Sequence, residues 1–332
     1  MKNNKSKYPG CLVISLDFEM MWGVIDLLTP EGYGQTNVAQ VREVIPRMVE
    51  LFEKYDVKAT FAAVGMLMLD GVKEVQEAMP LVKPSYKNNK LSPYENGYIE
   101  NIKEKDSNLY FAPDLIDYLK KSKNIEIGTH TFCHYYCDAE GQTVEQFEAD
   151  LKVAIEVART RGIALKSIIF PRNQVSKEYL TICAKLGIET YRGNPCKFFS
   201  KPKNVYEVWR DRIGRLVDAY VNVGGKNSYS YEDIDTNEIP INIKASRFFR
   251  PYMTKLAFME PLRIRRIKKE MEYAARNGEV YHLWWHPHNF GANMEANLKN
   301  LQKVLDFYVV LRERYYMLSL TMKDLKTIIN NE

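Results

Sequence analysis

Two histidines four residues apart, His130 and His134, follow the apolar run Ile125-Glu-Ile-Gly-Thr129. At that spacing one turn of chain brings both imidazoles to the same side. Two imidazoles with a carboxylate hold zinc or a similar divalent ion and leave positions open for water and substrate. Cys133 and Cys137 lie in the same stretch. A closed structural zinc site of His130, Cys133, His134 and Cys137 is therefore a second reading, and packing of the pair without an ion is a third. Structural sites use wider separations between ligand pairs, which favours the open site.

Carboxylates come from the start of the chain. In Cys11-Leu-Val-Ile-Ser-Leu-Asp-Phe-Glu19 an extended backbone puts Leu12, Ile14, Leu16 and Phe18 on one face and Val13, Ser15, Asp17 and Glu19 on the other. If the apolar set packs under helices, Asp17 and Glu19 project inward at the C-terminal end of the strand, where barrel enzymes place catalytic groups. The alternative is an acidic pair that caps a loop. A late run, Val280-Tyr-His-Leu-Trp-Trp-His-Pro-His288, puts His282, Trp284 and His286 on one face, and Pro287 ends it with His286 at the tip. A histidine there suits a general acid. All five histidines of the chain fall in these two segments, and only one of the late three need act in catalysis. Arg172, after Phe170-Pro171, is placed to keep a carboxylate base ionised. Arg192 and Asn194 follow another short apolar run, and Trp284 is a candidate to stack on a sugar ring. Surface ion pairing is the alternative for either arginine, and core packing for the tryptophan.

The elements that must position these groups alternate along the chain. Strands are expected at 11–19, 58–65, 125–130, 166–171, 188–192, 280–286 and 316–320. Helices with three- and four-residue apolar spacing are expected at 41–55, 143–161, 177–186, 261–277 and 297–314. Seven or eight such units favour a parallel β/α barrel over a doubly wound open sheet. Two polar, turn-rich stretches near 80–110 and 194–252 interrupt the rhythm and read as loop insertions. The domain reading is a polar tail over 1–10 and one barrel over 11–330.

Composition sets the remaining bounds. A chain of 332 residues, 45% hydrophobic, can bury a barrel-sized core. Its net charge of +5 is dispersed, so no nucleic-acid partner is expected. The short run after the tail is broken at Asp17, which suits neither a signal peptide nor a membrane span. Five irregularly spaced cysteines (Cys11, Cys133, Cys137, Cys183 and Cys196) argue against a disulfide framework and for a cytoplasmic location.

In this order, Ser15-Leu-Asp-Phe-Glu19, His130 with His134, Phe170-Pro-Arg172 and Leu283-Trp-Trp-His286, the sequence resembles the polysaccharide deacetylases, carbohydrate esterases that share the NodB-homology domain. The resemblance implies a distorted (β/α)7-type parallel barrel and a divalent metal, with zinc the expected ion. It implies Asp17 as base, Glu19, His130 and His134 as metal ligands, His286 as acid and Arg172 as orienter of the base, with an exchange of the two carboxylate roles as the alternative. The usual family motif has two adjacent aspartates, whereas Phe18 separates Asp17 from Glu19, as in an Asp-x-Glu subgroup. Arginine stands after proline in Pro171-Arg172, the reverse of the usual order. The tryptophan-containing motif has only Trp209 as its candidate. The implied reaction removes an N-acetyl group from an amino sugar of a glycan or glycan precursor, in surface-polysaccharide biosynthesis. The alternatives are a metal-assisted amidohydrolase acting on a small amide or formyl group, and a glycan-binding barrel without catalysis.

Overall fold

A computed structural model of the chain describes residues 7–194, 214, 218–220 and 225–330. Cys196 and Trp209 lie outside the described residues. The sheet is organised around β1 (Cys11–Phe18), in which every residue is buried. Next along the sheet come β2 (Ala59–Ala63), β3 (Ile125–Thr129), β4 (Ser167–Ile168) and β5 (Thr190–Tyr191), all parallel. Later strands are β6 (Tyr229–Ser230), β7 (Ile241–Asn242), β8 (Arg247–Phe248), β9 (Glu279–Trp285) and β10 (Leu318–Leu320).

β9 pairs with β1 from Cys11↔Val280 to Leu16↔Trp285. On its other edge β1 is shared. β10 takes Cys11–Val13 and β2 takes Ser15–Phe18. The chain through β7 and β8 carries the sheet from β5 round to β9. Ile243 N–H donates to Tyr191 O (2.8 Å) and Ala245 N–H to Gly193 O (2.9 Å), after which Ser246 N–H donates to His282 O (2.8 Å) and Phe249 N–H to Trp284 O (2.7 Å). The result is a distorted α/β barrel.

The expected alternation in β1 sorts its side chains. Leu12, Ile14, Leu16 and Phe18 join the large cluster with the helices, while Cys11 and Val13 join an inner cluster with Ile169, Ile241, Val280 and Leu325. The α-helices include α1 (Val41–Tyr55), α2 (Val72–Ala78), α3 (Pro113–Leu119), α4 (Val144–Thr160), α5 (Lys177–Lys185), α6 (Glu260–Asn277), α7 (Met294–Tyr315) and α8 (Met322–Asn330). α4 starts with a capping box: Thr143 and Gln146 each satisfy the other's backbone N–H. α8 closes the far end of the barrel, where Met322 N–H donates to Thr60 Oγ1 (3.0 Å) and Lys323 N–H to the half-buried Glu126 carboxylate (3.1 Å).

Two expectations are corrected. The stretch 194–252 is not merely a loop insertion, because β6, β7 and β8 lie in it and the last two close the barrel. Their apolar alternation, Ile241 to Phe249, is too short to stand out between polar flanks. The stretch 80–110 has no strand, but it buries Ile99, Leu109 and Tyr110 and so belongs partly to the core. No helix of the described residues is long and apolar enough to cross a membrane.

Candidate active site

The C-terminal ends of β1, β3, β5 and β9 converge on Glu19. Asp17 lies near the end of β1 and Glu19 directly after it, and both are buried. Met20 turns the chain with a left-handed φ of 50°, and Gly23 then passes directly behind the Glu19 carboxylate. A Cβ at Gly23 would stand 2.1 Å from Glu19 Cδ, so this position needs glycine for space. Gly23→Ala is expected to displace Glu19 and lower ion affinity about 10- to 100-fold with the fold retained. Metal analysis after dialysis, alongside a thermal melt, checks it.

β3 delivers the histidine pair. His130 N–H donates to Ala63 O (2.8 Å), which keeps the ladder going to the edge of the site. Thr131 and His134 then adopt left-handed φ values of 66° and 61°, costly for a β-branched residue and held only by surrounding structure. That support comes from Asp150 of α4, which accepts from Phe132 N–H (2.7 Å) and Cys133 N–H (3.1 Å), and from Thr131 Oγ1, which accepts from Tyr135 N–H (2.7 Å). The turn brings His134 Nε2 to 2.9 Å and His130 Nε2 to 3.4 Å from the same oxygen, Glu19 Oε2.

β9 supplies the opposite wall. His286 Nε2 lies 3.4 Å from Glu19 Oε1 and 3.6 Å from Asp17 Oδ2, and His288 Nε2 lies 3.7 Å from Glu19 Oε1. His286 is 23% exposed, whereas His130, His134 and His288 are buried. Behind Asp17, the fully buried Arg192 donates to both carboxylate oxygens (2.6 and 2.7 Å) and to Asn173 Oδ1 (3.0 Å), and lies 4.0 Å above the Trp284 ring. Ser15 Oγ joins Arg192 (3.1 Å) to His282 Nε2 (2.8 Å) beneath.

The electrostatics follow from burial and these partners. Burial alone would raise the Asp17 carboxyl, but the charge of Arg192 and then that of His286 hold it below the usual range. Glu19 is likewise pushed up by burial and pulled well below its usual value by the histidines around it. Burial lowers His134, opposed by the hydrogen bond and charge of Glu19. His282 is pushed down from 6.5 to about 3 by burial and then by Arg192. It stays neutral in the fold, so below pH 6.5 the unfolded chain binds a proton that the native state refuses. Stability is therefore lost as pH falls from 6.5 toward 3. Urea unfolding at pH 7 and pH 5 should show His282→Gln losing about 2 kcal/mol less than the parent chain over that interval.

An ion fits the histidine pair and Glu19. His130 Nδ1 faces Ile169 O at 2.8 Å, so Nδ1 carries a proton and Nε2 is the atom turned on a carboxylate oxygen. Lone pair against lone pair is repulsive unless a cation or proton lies between them. Glu19, His130 and His134 form one group whose ligand atoms lie close enough to share an ion, and Glu19, His286 and His288 form another. Cys133 and Cys137 enter neither group.

Several sequence-derived placements change. Arg172 pairs with Asp26 (2.6 Å) and stacks on Tyr136 (4.3 Å), so the arginine on Asp17 is Arg192 instead. The reason is local: Arg172 sits in a turn after Pro171 with φ 53°, which aims it away from the interior. Trp284 packs between Arg192 and Phe248 (4.7 Å between rings). Asn194 Nδ2 donates to Asn173 O (3.1 Å), steadying the loop that carries Asn173. Gly23, Asp150, Asn173 and the approach of His288 to Glu19 were not anticipated. For Arg192 a usable signal existed, because Thr190 and Arg192 share a face at period two.

Comparison with known proteins adds a family match over part of the chain and a fold. The family model described as polysaccharide deacetylase matches residues 31–191. That stretch includes His130, His134 and Arg172 and leaves Asp17, Glu19 and His286 outside it. No curated protein matches the chain. Among solved structures, one described as a polysaccharide deacetylase of Mycobacterium smegmatis is similar with a TM-score of 0.57 and 11% identity, covering 98% of this chain and 92% of that one. Another, described as a polysaccharide deacetylase of Pseudomonas aeruginosa PAO1, has a TM-score of 0.53 and 9% identity, covering 97% and 90%. An allantoinase has a TM-score of 0.52 and 10% identity, covering 98% and 91%. At these identities the likeness is one of fold.

Proposed function

We propose, from the premise that residues 31–191 belong to the polysaccharide deacetylase family, that this chain hydrolyses the N-acetyl group of an amino sugar in a glycan or glycan precursor. Glu19, His130 and His134 would hold a divalent ion, with zinc suited to two imidazoles and one carboxylate. The observation that carries this reading is the convergence of both Nε2 atoms on Glu19 Oε2, with the His130 tautomer set by Ile169 O.

When bound, the ion supplies a Lewis acid that polarises the acyl carbonyl and acidifies a water. Asp17 takes the proton from the attacking water, and Arg192 keeps that carboxylate ionised and aimed. His286 Nδ1 faces Asn289 Oδ1 at 3.1 Å. That contact leaves Nε2, between Asp17 and Glu19, to carry the proton handed to the departing amine. The products are a free amino sugar and acetate. We place the reaction in the cytoplasm, on an intermediate of surface-polysaccharide synthesis.

Acetate release from N-acetylated oligosaccharides, read with bound metal, tests the proposal. The native chain should deacetylate with about one tightly held ion. Glu19→Gln should lose the ion and at least about 10²-fold in turnover. Release of acyl groups only from small amides would move the substrate class. A chain that holds no ion and hydrolyses neither substrate would be a glycan-binding barrel.

A further inference from the structure

Glu19 faces histidine pairs on both of its oxygens. Oε2 has His130 and His134, and Oε1 has His286 at 3.4 Å and His288 at 3.7 Å. A tetrahedral ion with bonds of about 2.0–2.1 Å separates its ligand atoms by roughly 3.4 Å. The His286 and His288 distances fall close to that separation, and the three ligand atoms form a group compact enough for one ion. The two rings stack, 5.1 Å apart and 13° from parallel, and both present Nε2 to Glu19 Oε1. Tyr33 packs edge-on against His288 (5.6 Å), and Asn289, which faces His286 Nδ1, donates to the Tyr33 hydroxyl (3.2 Å).

We propose that Glu19 Oε1, His286 and His288 form a second, weaker ion site that switches the enzyme off when filled. This rests on the reading of Glu19, His130 and His134 as the first ion site. A carboxylate that uses one oxygen for each ion bridges them at the spacing of two-metal centres, about 3.5–4 Å. The second site is weaker because charge is short. Glu19 brings one negative charge for two dications, and Asp17 is already neutralised by Arg192. The site is inhibitory because of the atom it uses. His286 Nε2 cannot hold an ion and hand a proton to a leaving amine at once, so the second ion removes the acid. Partial exposure of His286 gives that ion a route from solvent.

Titration of the metal-free full chain with Zn²⁺ by calorimetry, with stoichiometry checked by elemental analysis, tests the inference. The native chain should bind two ions, the second about 100-fold or more weaker than the first. Acetate release should rise with the first equivalent and fall with the second. His288→Asn and His288→Gln should each bind one ion, the tight one, and Glu19→Gln should lose both. Two histidine variants guard against one that fails to fold, and the count in the native chain stands without either. A native chain that saturates at one ion, or a second ion that persists in both His288 variants, overturns the second site while leaving the first intact. No tight ion at all would instead overturn the proposed function.

Discussion

Asp17→Asn is expected to reduce turnover by about 10³-fold while the chain still holds its ion. The substitution preserves shape and removes the one group placed to take a proton beside His286. The ion ligands Glu19, His130 and His134 are left untouched. Arg192 keeps an oxygen to bond through the new amide and retains Asn173 and Ser15 as partners. The same pair of measurements, acetate release and bound metal, also tests the exchange of roles between the carboxylates. If Asp17 were the ligand and Glu19 the base, Asp17→Asn would lose the ion and Glu19→Gln would keep it. Full activity in Asp17→Asn would sink the base assignment.

The largest stability effect should come from Arg192→Met, about 3–5 kcal/mol in urea unfolding. Arg192 is fully buried and gives Asp17 both of its charge-assisted hydrogen bonds. Removing it leaves a carboxylate in the barrel interior with burial pushing it toward the neutral acid. Adding Asp17→Leu to the Arg192→Met chain should recover much of the loss, because a buried pair replaced by apolar groups of similar volume is often close to neutral. A double variant no more stable than Arg192→Met alone would mean that the loss comes from packing on Trp284 rather than from the stranded charge.

The barrel, and much of which residues gather at the candidate site, were legible because both depend on short-range pattern. Period-two alternation in Cys11–Glu19 sorted an apolar face from a reactive one. Strand ends at His130 and His286 followed from where apolar runs stop. What stayed hidden depends on backbone direction after a strand ends. Arg172 and Arg192 look equivalent in sequence, yet one follows a proline into a left-handed turn and the other continues β5, with its N–H donating to Ile168 O (3.2 Å). Asp150 is 16 residues beyond His134 on a helix, and nothing in its neighbourhood marks it as the acceptor that holds the histidine turn. Gly23 is required by the volume of a side chain that folds back on it, which spacing does not reveal. β7 and β8 were missed because their brief apolar alternation, Ile241 to Phe249, is hidden between polar flanks.

The forked edge of β1 has a bearing on how the molecule comes together. β1, β2 and β3 are neighbours in the sheet and arise in the first 129 residues, with the histidine turn immediately after. The three groups proposed to hold the ion therefore belong to a piece of sheet that chain order delivers early. His286 arrives only when β9 pairs with β1, joining Cys11 to Val280 across most of the chain. Contacts of such separation form late and slowly. During synthesis the proposed ion ligands would come together before the proposed proton donor, so on the proposed function acquiring metal and acquiring reactivity would be separate events in the life of the chain.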